Sequence, residues 1–100
     1  MTLIYITCKD KEEAKKISKA LLEKRLIACS NMFPIESMYW WKGKIEEESE
    51  IVILAKTKDK NYEKIKQEVT KLHSYEVPCI LKLSSDANID YDKWVDEVVK

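Results

Sequence analysis

SMYWWKGKIEEESEIVILAKT, residues 37–57, turns on the only glycine in a chain of 100 residues. Before Gly43 the run is apolar and aromatic as far as Trp41. After it the residues are polar first and then apolar, IVILA at 51–55. Lys42-Gly43-Lys44 between two such runs predicts a hairpin, with Gly43 free to take positive φ. The outgoing arm is expected to begin near Ile27, bend at Pro34 and end at Trp41; the returning arm runs from Ile45 to Thr57. Arms of about a dozen residues exceed the usual five or six. In a lone subunit the tip residues Tyr39, Trp40 and Trp41, and the strand edges beside them, would stand exposed.

The neighbouring segments complete the pattern. Leu3 to Thr7 (LIYIT) is nearly all apolar, as expected of a strand buried on both faces. Asp10 followed by Glu13 has capping-box spacing, and Ala14, Ile17, Ala20 and Leu21 then recur at helical intervals to about Lys24. On the far side of the hairpin, Asp59 is placed to cap a helix with Tyr62, Ile65, Val69 and Leu72 on one face. Val77 to Leu83 reads as a fourth strand that tolerates Pro78 near its start. A last helix, capped by Asn88 or Asp90, turns Tyr91, Trp94, Val95 and Val98 inward. The order is βαββαβ plus a helix. Right-handed crossovers put the first and third strands in the centre and both long helices on one face. This is an α+β, ferredoxin-like sandwich in a single domain, 1–100, whose second sheet face is left without a helix.

Composition narrows the function. Lys plus Arg and Asp plus Glu each number 18, giving a net charge of zero. That balance offers no general pull on nucleic acid or anionic lipid. No apolar run approaches a membrane span, and MTLIYITCK lacks the pattern of a signal peptide. Cysteines at 8, 29 and 79, odd in number and without CxxC spacing, suggest reduced thiols and a cytoplasmic setting. One glycine cannot build a phosphate loop or a dinucleotide fingerprint, and one histidine without a nucleophile elbow gives no support to a Ser-His-Asp triad. The tip aromatics could stack bases, but the glycine-rich RNA-binding pattern is missing, so they read as interface residues. DANIDYDKWVDE, 86–97, spaces its carboxylates like a calcium loop but has Tyr91 where the sharp turn needs glycine, and so reads as a helix start. Cys29, next to Ala28 in a strand, reads as a small core residue.

HSYEVPCI, 73–80, holds the sole histidine. His73, Glu76 and Cys79 do not make four zinc ligands, and a helix end suits an imidazole that bonds free carbonyls. A structural loop is the expectation, with His73 as the one candidate metal ligand. Glu50 and Lys56 are an even number of residues apart and share a strand face, as an ion pair or as ligands to a small polar molecule.

Five motifs resemble the CutA family, the divalent-cation-tolerance proteins, from end to end. They are R-L-x-A-C-x-N-x-x-P at 25–34, S-x-Y-x-W-x-G-x-I at 37–45, Glu50 with Lys56-Thr57, His73-x-Tyr75-x-x-Pro78, and Tyr91-x-x-Trp94. The resemblance implies a homotrimer with interlocked hairpins, an architecture shared with PII signalling proteins. It also implies a non-enzymatic role in tolerance to divalent metals, with copper or another divalent cation as the only cofactor-like ligand. The subunit cleft would then be lined by Tyr39, Trp41, Glu50, Lys56 and Tyr75. This chain departs from the family at Ser74 (usually Pro) and Cys79 (usually Glu). Copper-linked relatives carry a cysteine at the end of the first strand and a second histidine, where this chain has Ile6 and Leu72. Cys8 lies beyond Thr7 and is not carried over as a ligand. Two other classes remain open: a PII-like small-molecule sensor, and an enzyme using His73 near Tyr75 and Lys56.

Overall fold

Strand β1 (Thr2–Cys8) takes the middle of the sheet because alternate side chains, Thr2, Ile4, Ile6 and Cys8, have an apolar layer to enter. The computed structural model describes all 100 residues and continues with α1 (Lys11–Glu23), β2 (Cys29–Trp41) and β3 (Lys44–Thr57). After them come α2 (Tyr62–Leu72), β4 (Ile80–Ser84) and α3 (Ile89–Val98). The four strands are antiparallel in the order β2-β3-β1-β4, the expected ferredoxin-like topology with β1 and β3 central.

One face of this sheet carries α1 and α2. Ile4, Ile6, Ile53 and Ala55 from the strands meet Ala14, Ile17, Leu21, Ile65 and Val69 from the helices in one core. The other face of β1, with Leu3, Tyr5 and Thr7, is only half-buried, so this strand alternates where burial on both faces was expected. The reason is the partial cover there. α3 touches β3, sets Tyr91 beside Cys29, and buries Val95 completely. The second face is therefore roofed at one end and open at the other. Trp94 stays 41% exposed, so the inward face of α3 is narrower than its sequence spacing suggested.

Pairing along the hairpin is unbroken from Cys29↔Lys56 to Trp41↔Lys44. Pro34 makes no bulge, since β2 is an edge strand that can spare a donor. The turn is tighter than the sequence implied. Lys42 (φ 49) joins Gly43 (φ 80) in left-handed conformation, the pair of positive φ values that a type I′ hairpin needs. β1 accompanies β3 only from Ile51 onward, so residues 35–50 project as a two-stranded ribbon from a molecule 45 Å long and 25 Å wide.

Two element starts differ from expectation. Asp59 opens a 3₁₀ turn, Asp59–Asn61, and its carboxylate pairs with Lys82 at 2.8 Å instead of capping a helix. Buried Asn61 spends its amide on the carbonyl of Leu26 (3.2 Å) and on Thr57 Oγ1 (3.4 Å), so α2 begins at Tyr62 without a side-chain cap. β4 begins at Ile80, not Val77, because the preceding residues are held in a loop by side-chain bonds described below.

Leu21 and Leu22 test this layering with one chemistry, since Leu21 is fully buried and Leu22 is 42% exposed. Leu21→Ala should cost about 2–5 kcal/mol of unfolding free energy, and Leu22→Ala under about 1 kcal/mol. Urea denaturation at matched protein concentration reads the difference.

Candidate functional site

The two-residue turn fixes which hairpin residues share a face. Odd positions of β2 (Ile35, Ser37, Tyr39, Trp41) and even positions of β3 (Glu46, Glu48, Glu50) look the same way. They wall a cleft of about 1160 Å³ whose opposite side is the loop Ser74–Cys79 and whose floor includes Tyr5 and Thr7. Of the expected cleft residues, Tyr39, Trp41, Glu50 and Tyr75 all line it. Lys56 does not. It lies six residues along β3 from Glu50 and hydrogen-bonds Asn31, with Cys29 Sγ 3.9 Å away. Glu50 and Lys56 share a face, as their spacing required, but form no ion pair, because six residues of strand span about 20 Å.

Glu50 is the unusual group. It is only 6% exposed, and no cationic side chain pairs with it. Its one side-chain hydrogen bond comes from the Tyr75 hydroxyl to Oε2, at 2.6 Å. Burial, then the bond to Glu50 and its charge, push the Tyr75 phenol far above the ordinary range, so it donates and does not ionise. Tyr39 is raised in the same sense, by desolvation and then by Glu48. Burial followed by Glu50 also lifts the Cys79 thiol.

His73 lies behind the cleft, as the residue that ends α2, with its side chain fully buried. Nε2 is 2.8 Å from the carbonyl of Thr7, and Nδ1 accepts the Tyr75 N–H at 3.1 Å. A carbonyl can only accept, so the proton is on Nε2 and Nδ1 is the acceptor. The ring thus clamps the end of β1 to the cleft loop. Two residues that the sequence reading set aside as ligands, Cys8 for its place beyond Thr7 and Glu13 as a helix cap, have ligand-type atoms that lie with those of His73 within 4.8 Å of one another. Burial, then Glu13, Glu50 and Asp10, push the Cys8 thiol up to about 12.

Glu13 departs from the capping-box reading. Asp10 does accept the Glu13 N–H at 2.8 Å. The Glu13 carboxylate, however, accepts from Lys9 N–H (3.1 Å) and from Ser74 N–H (2.8 Å), across sixty-one residues of sequence. It therefore anchors the loop that carries Tyr75.

A family model for the CutA1 divalent ion tolerance protein matches residues 2–98. The chain belongs to that family. It is 43% identical over 98 residues to the divalent-cation tolerance protein CutA of Archaeoglobus fulgidus, covering 97% of this chain and 96% of that one. It is 40% identical to human protein CutA over 96% of its own length and 55% of the human chain. The crystal structure of Pyrococcus horikoshii CutA1 superposes with a TM-score of 0.95 at 42% identity, over 100% of this chain and 99% of that one. The A. fulgidus structure, described as a periplasmic divalent cation tolerance protein, reaches 0.97 at 42% identity over the full length of both. Family membership agrees with the fold reading made from the hairpin and the five motifs.

Within this family member the Ser74 departure has a visible use, because a backbone N–H at 74 is what Glu13 accepts and proline would supply none. Burial alone would raise the Glu13 carboxyl, but the Ser74 and Lys9 bonds and nearby His73 outweigh it and hold the group below its ordinary 4.5. A lowered carboxyl stabilises the fold at pH above its unfolded value, and that contribution is lost as pH falls through the folded value. The stability margin of wild type over Glu13→Gln should be constant above about pH 6 and shrink below about pH 4.5. Urea midpoints measured from pH 3 to 7 give that margin directly.

Proposed function

We propose that this chain, as a single domain over 1–100, is a non-enzymatic divalent-cation tolerance protein. It acts as a cytoplasmic homotrimer of the PII-like kind and binds cations in the cleft between hairpin and loop. The observation that carries the reading is Glu50, a buried carboxylate without a cationic partner at the base of an acidic, aromatic-walled cleft. Three carboxylates spaced along one strand face attract divalent ions, and their separation favours a hydrated, exchangeable ion over a fixed coordination shell. The names of the relatives point to the same class of ligand.

Assembly is supported by what the ribbon exposes. Met38, Trp40 and Ile45 are 70%, 72% and 59% exposed, and Val77 and Leu81 are open as well. The unpaired edge of β3 beyond Ile51 offers a place for a neighbouring chain to add hydrogen bonds. Closed threefold symmetry removes such edges without leaving new ones. Three free cysteines fit a reducing compartment, and no helix is long and apolar enough to cross a membrane.

Copper at Cys8, Glu13 and His73 is the second reading, favoured by the closeness of those three groups. It carries a cost, since both His73 nitrogens already have partners and Cys8 must give up a proton held by burial.

Calorimetry with copper, zinc and calcium separates the two. In the cleft reading Glu50→Gln weakens binding about tenfold or more, while Cys8→Ala changes it under about threefold. The reverse order assigns the ion to the Cys8, Glu13 and His73 group. For assembly, light scattering at micromolar concentration should return three times the 11.8 kDa of one chain. Trp40→Ala should shift the mass toward monomer while far-UV circular dichroism is kept, because interface aromatics carry much of the association energy. A monomeric wild type would refute the trimer.

A further inference from the structure

Cys29, the first residue of β2, stands directly opposite Lys56, near the end of β3. Opposed strand residues keep their β-carbons about 4.5–5.5 Å apart. The register of the hairpin, more than any one rotamer, therefore brings these two side chains together. Lys56 Nζ lies 3.9 Å from Cys29 Sγ. Both residues are half-buried, so Cys29 is not the enclosed core residue that its strand setting suggested. Lys56 hydrogen-bonds Asn31 and pairs with no carboxylate. An uncommitted amine on a flexible four-carbon stem thus faces a sulfur across the base of the hairpin.

The other two thiols are placed differently. The thiolate is the form that reacts with oxidants. Burial and then Glu13 push the fully enclosed Cys8 up to about 12, and burial and then Glu50 raise Cys79. Cys29 instead faces the Lys56 amine, the Asn31 side chain with Oδ1 at 4.0 Å, and the Tyr91 phenol of α3. Burial and then Cys29 itself raise that phenol, so it stays protonated beside the sulfur.

We propose that Cys29 and Lys56 form a reversible sulfur–nitrogen crosslink, a sulfenamide, when the protein meets a peroxide. The thiolate first attacks one peroxide oxygen and breaks the O–O bond, leaving a sulfenic acid and water. The neutral Lys56 amine then attacks the sulfenic sulfur. An S–N bond forms, the S–O bond breaks, and the departing hydroxide takes the proton released from nitrogen. In sum, one thiol, one amine and one peroxide give one sulfenamide and two waters, with two electrons passing from sulfur to the peroxide. Sulfenic acids condense in this way with backbone nitrogen, and here the opposed strand supplies a more nucleophilic one. Two equivalents of a small thiol undo the link. The first attacks sulfur and expels the amine, and the second releases Cys29 and leaves the small disulfide. While it lasts, the link shields Cys29 from irreversible oxidation and staples β2 to β3 beneath α3.

Mass spectrometry of the full-length protein after hydrogen peroxide treatment tests the proposal. Wild type should lose the mass of two hydrogens, regain it with dithiothreitol, and yield a linked peptide pair joining residues 29 and 56. Cys29→Ser should give no such link. Lys56→Arg keeps the positive charge without a nucleophilic amine, so its Cys29 should gain oxygen at least about threefold faster than in wild type. A Cys8→Ala, Cys79→Ala variant, with Cys29 as its sole thiol, should still lose two hydrogens within one chain, which separates the crosslink from a disulfide. If that variant does not fold, the linked peptides from wild type make the same distinction. Equal oxygen gain at Cys29 in wild type and Lys56→Arg would overturn the proposal. So would a link from Cys29 to any other residue, or a Cys29 that does not react.

Discussion

The register of the hairpin is set at Lys42 and Gly43, where two consecutive positive φ values close the chain in two residues and pair Trp41 with Lys44. Strand side chains alternate with period two, so this single pairing decides the face of every residue from 29 to 57. With it, Ile53 and Ala55 enter the core while Glu46, Glu48 and Glu50 look into the cleft. A slip of one residue would send Ile51 and Ile53 to the open face and Glu50 into the apolar layer. Core and cleft therefore specify the same register. The apolar half of β3 enforces it by burial, and the polar half inherits it.

The second wall of the cleft is held by a different kind of force. Residues 73–79 lie in no helix or strand, and their backbone must find partners elsewhere. Glu13 takes the N–H of Ser74, His73 takes that of Tyr75, and His73 in turn donates to the carbonyl of Thr7. Buried polar groups so fully engaged act as clamps, and Tyr75 is delivered to Glu50 by that clamp. The only histidine in the chain thus contributes to the cleft from behind its wall.

Element order, strand order and the core helices were legible because period-two and helical patterns are local properties of the sequence. The shared face of Glu50 and Lys56 was legible from parity within one strand, whereas Tyr39 and Trp41 join that face only through the two-residue turn at Lys42 and Gly43. Less could be read where distant segments meet. The reach of Glu13 to Ser74 leaves no local trace beyond an acidic residue early in a helix, which capping explains equally well. Lys56 has the right parity for the cleft, but parity does not measure distance along the strand. The docking of α3 over Cys29 was also hidden, since spacing identifies an apolar stripe and not the surface it covers. The late start of β4 follows from the same cause: Val77 to Cys79 have strand-like composition, yet their neighbours are bound to side chains outside the sheet.

In the ribbon, residues 44–50 bond to β2 on one side and have no strand on the other. About half of their main-chain amides consequently meet solvent in an isolated chain. Those amides would exchange deuterium quickly without unfolding, whereas their counterparts in 51–57, shielded by β1, exchange only when the sheet opens. The same strand therefore carries two clocks. Its inner half keeps time with folding, and its outer half with whatever docks along its free edge.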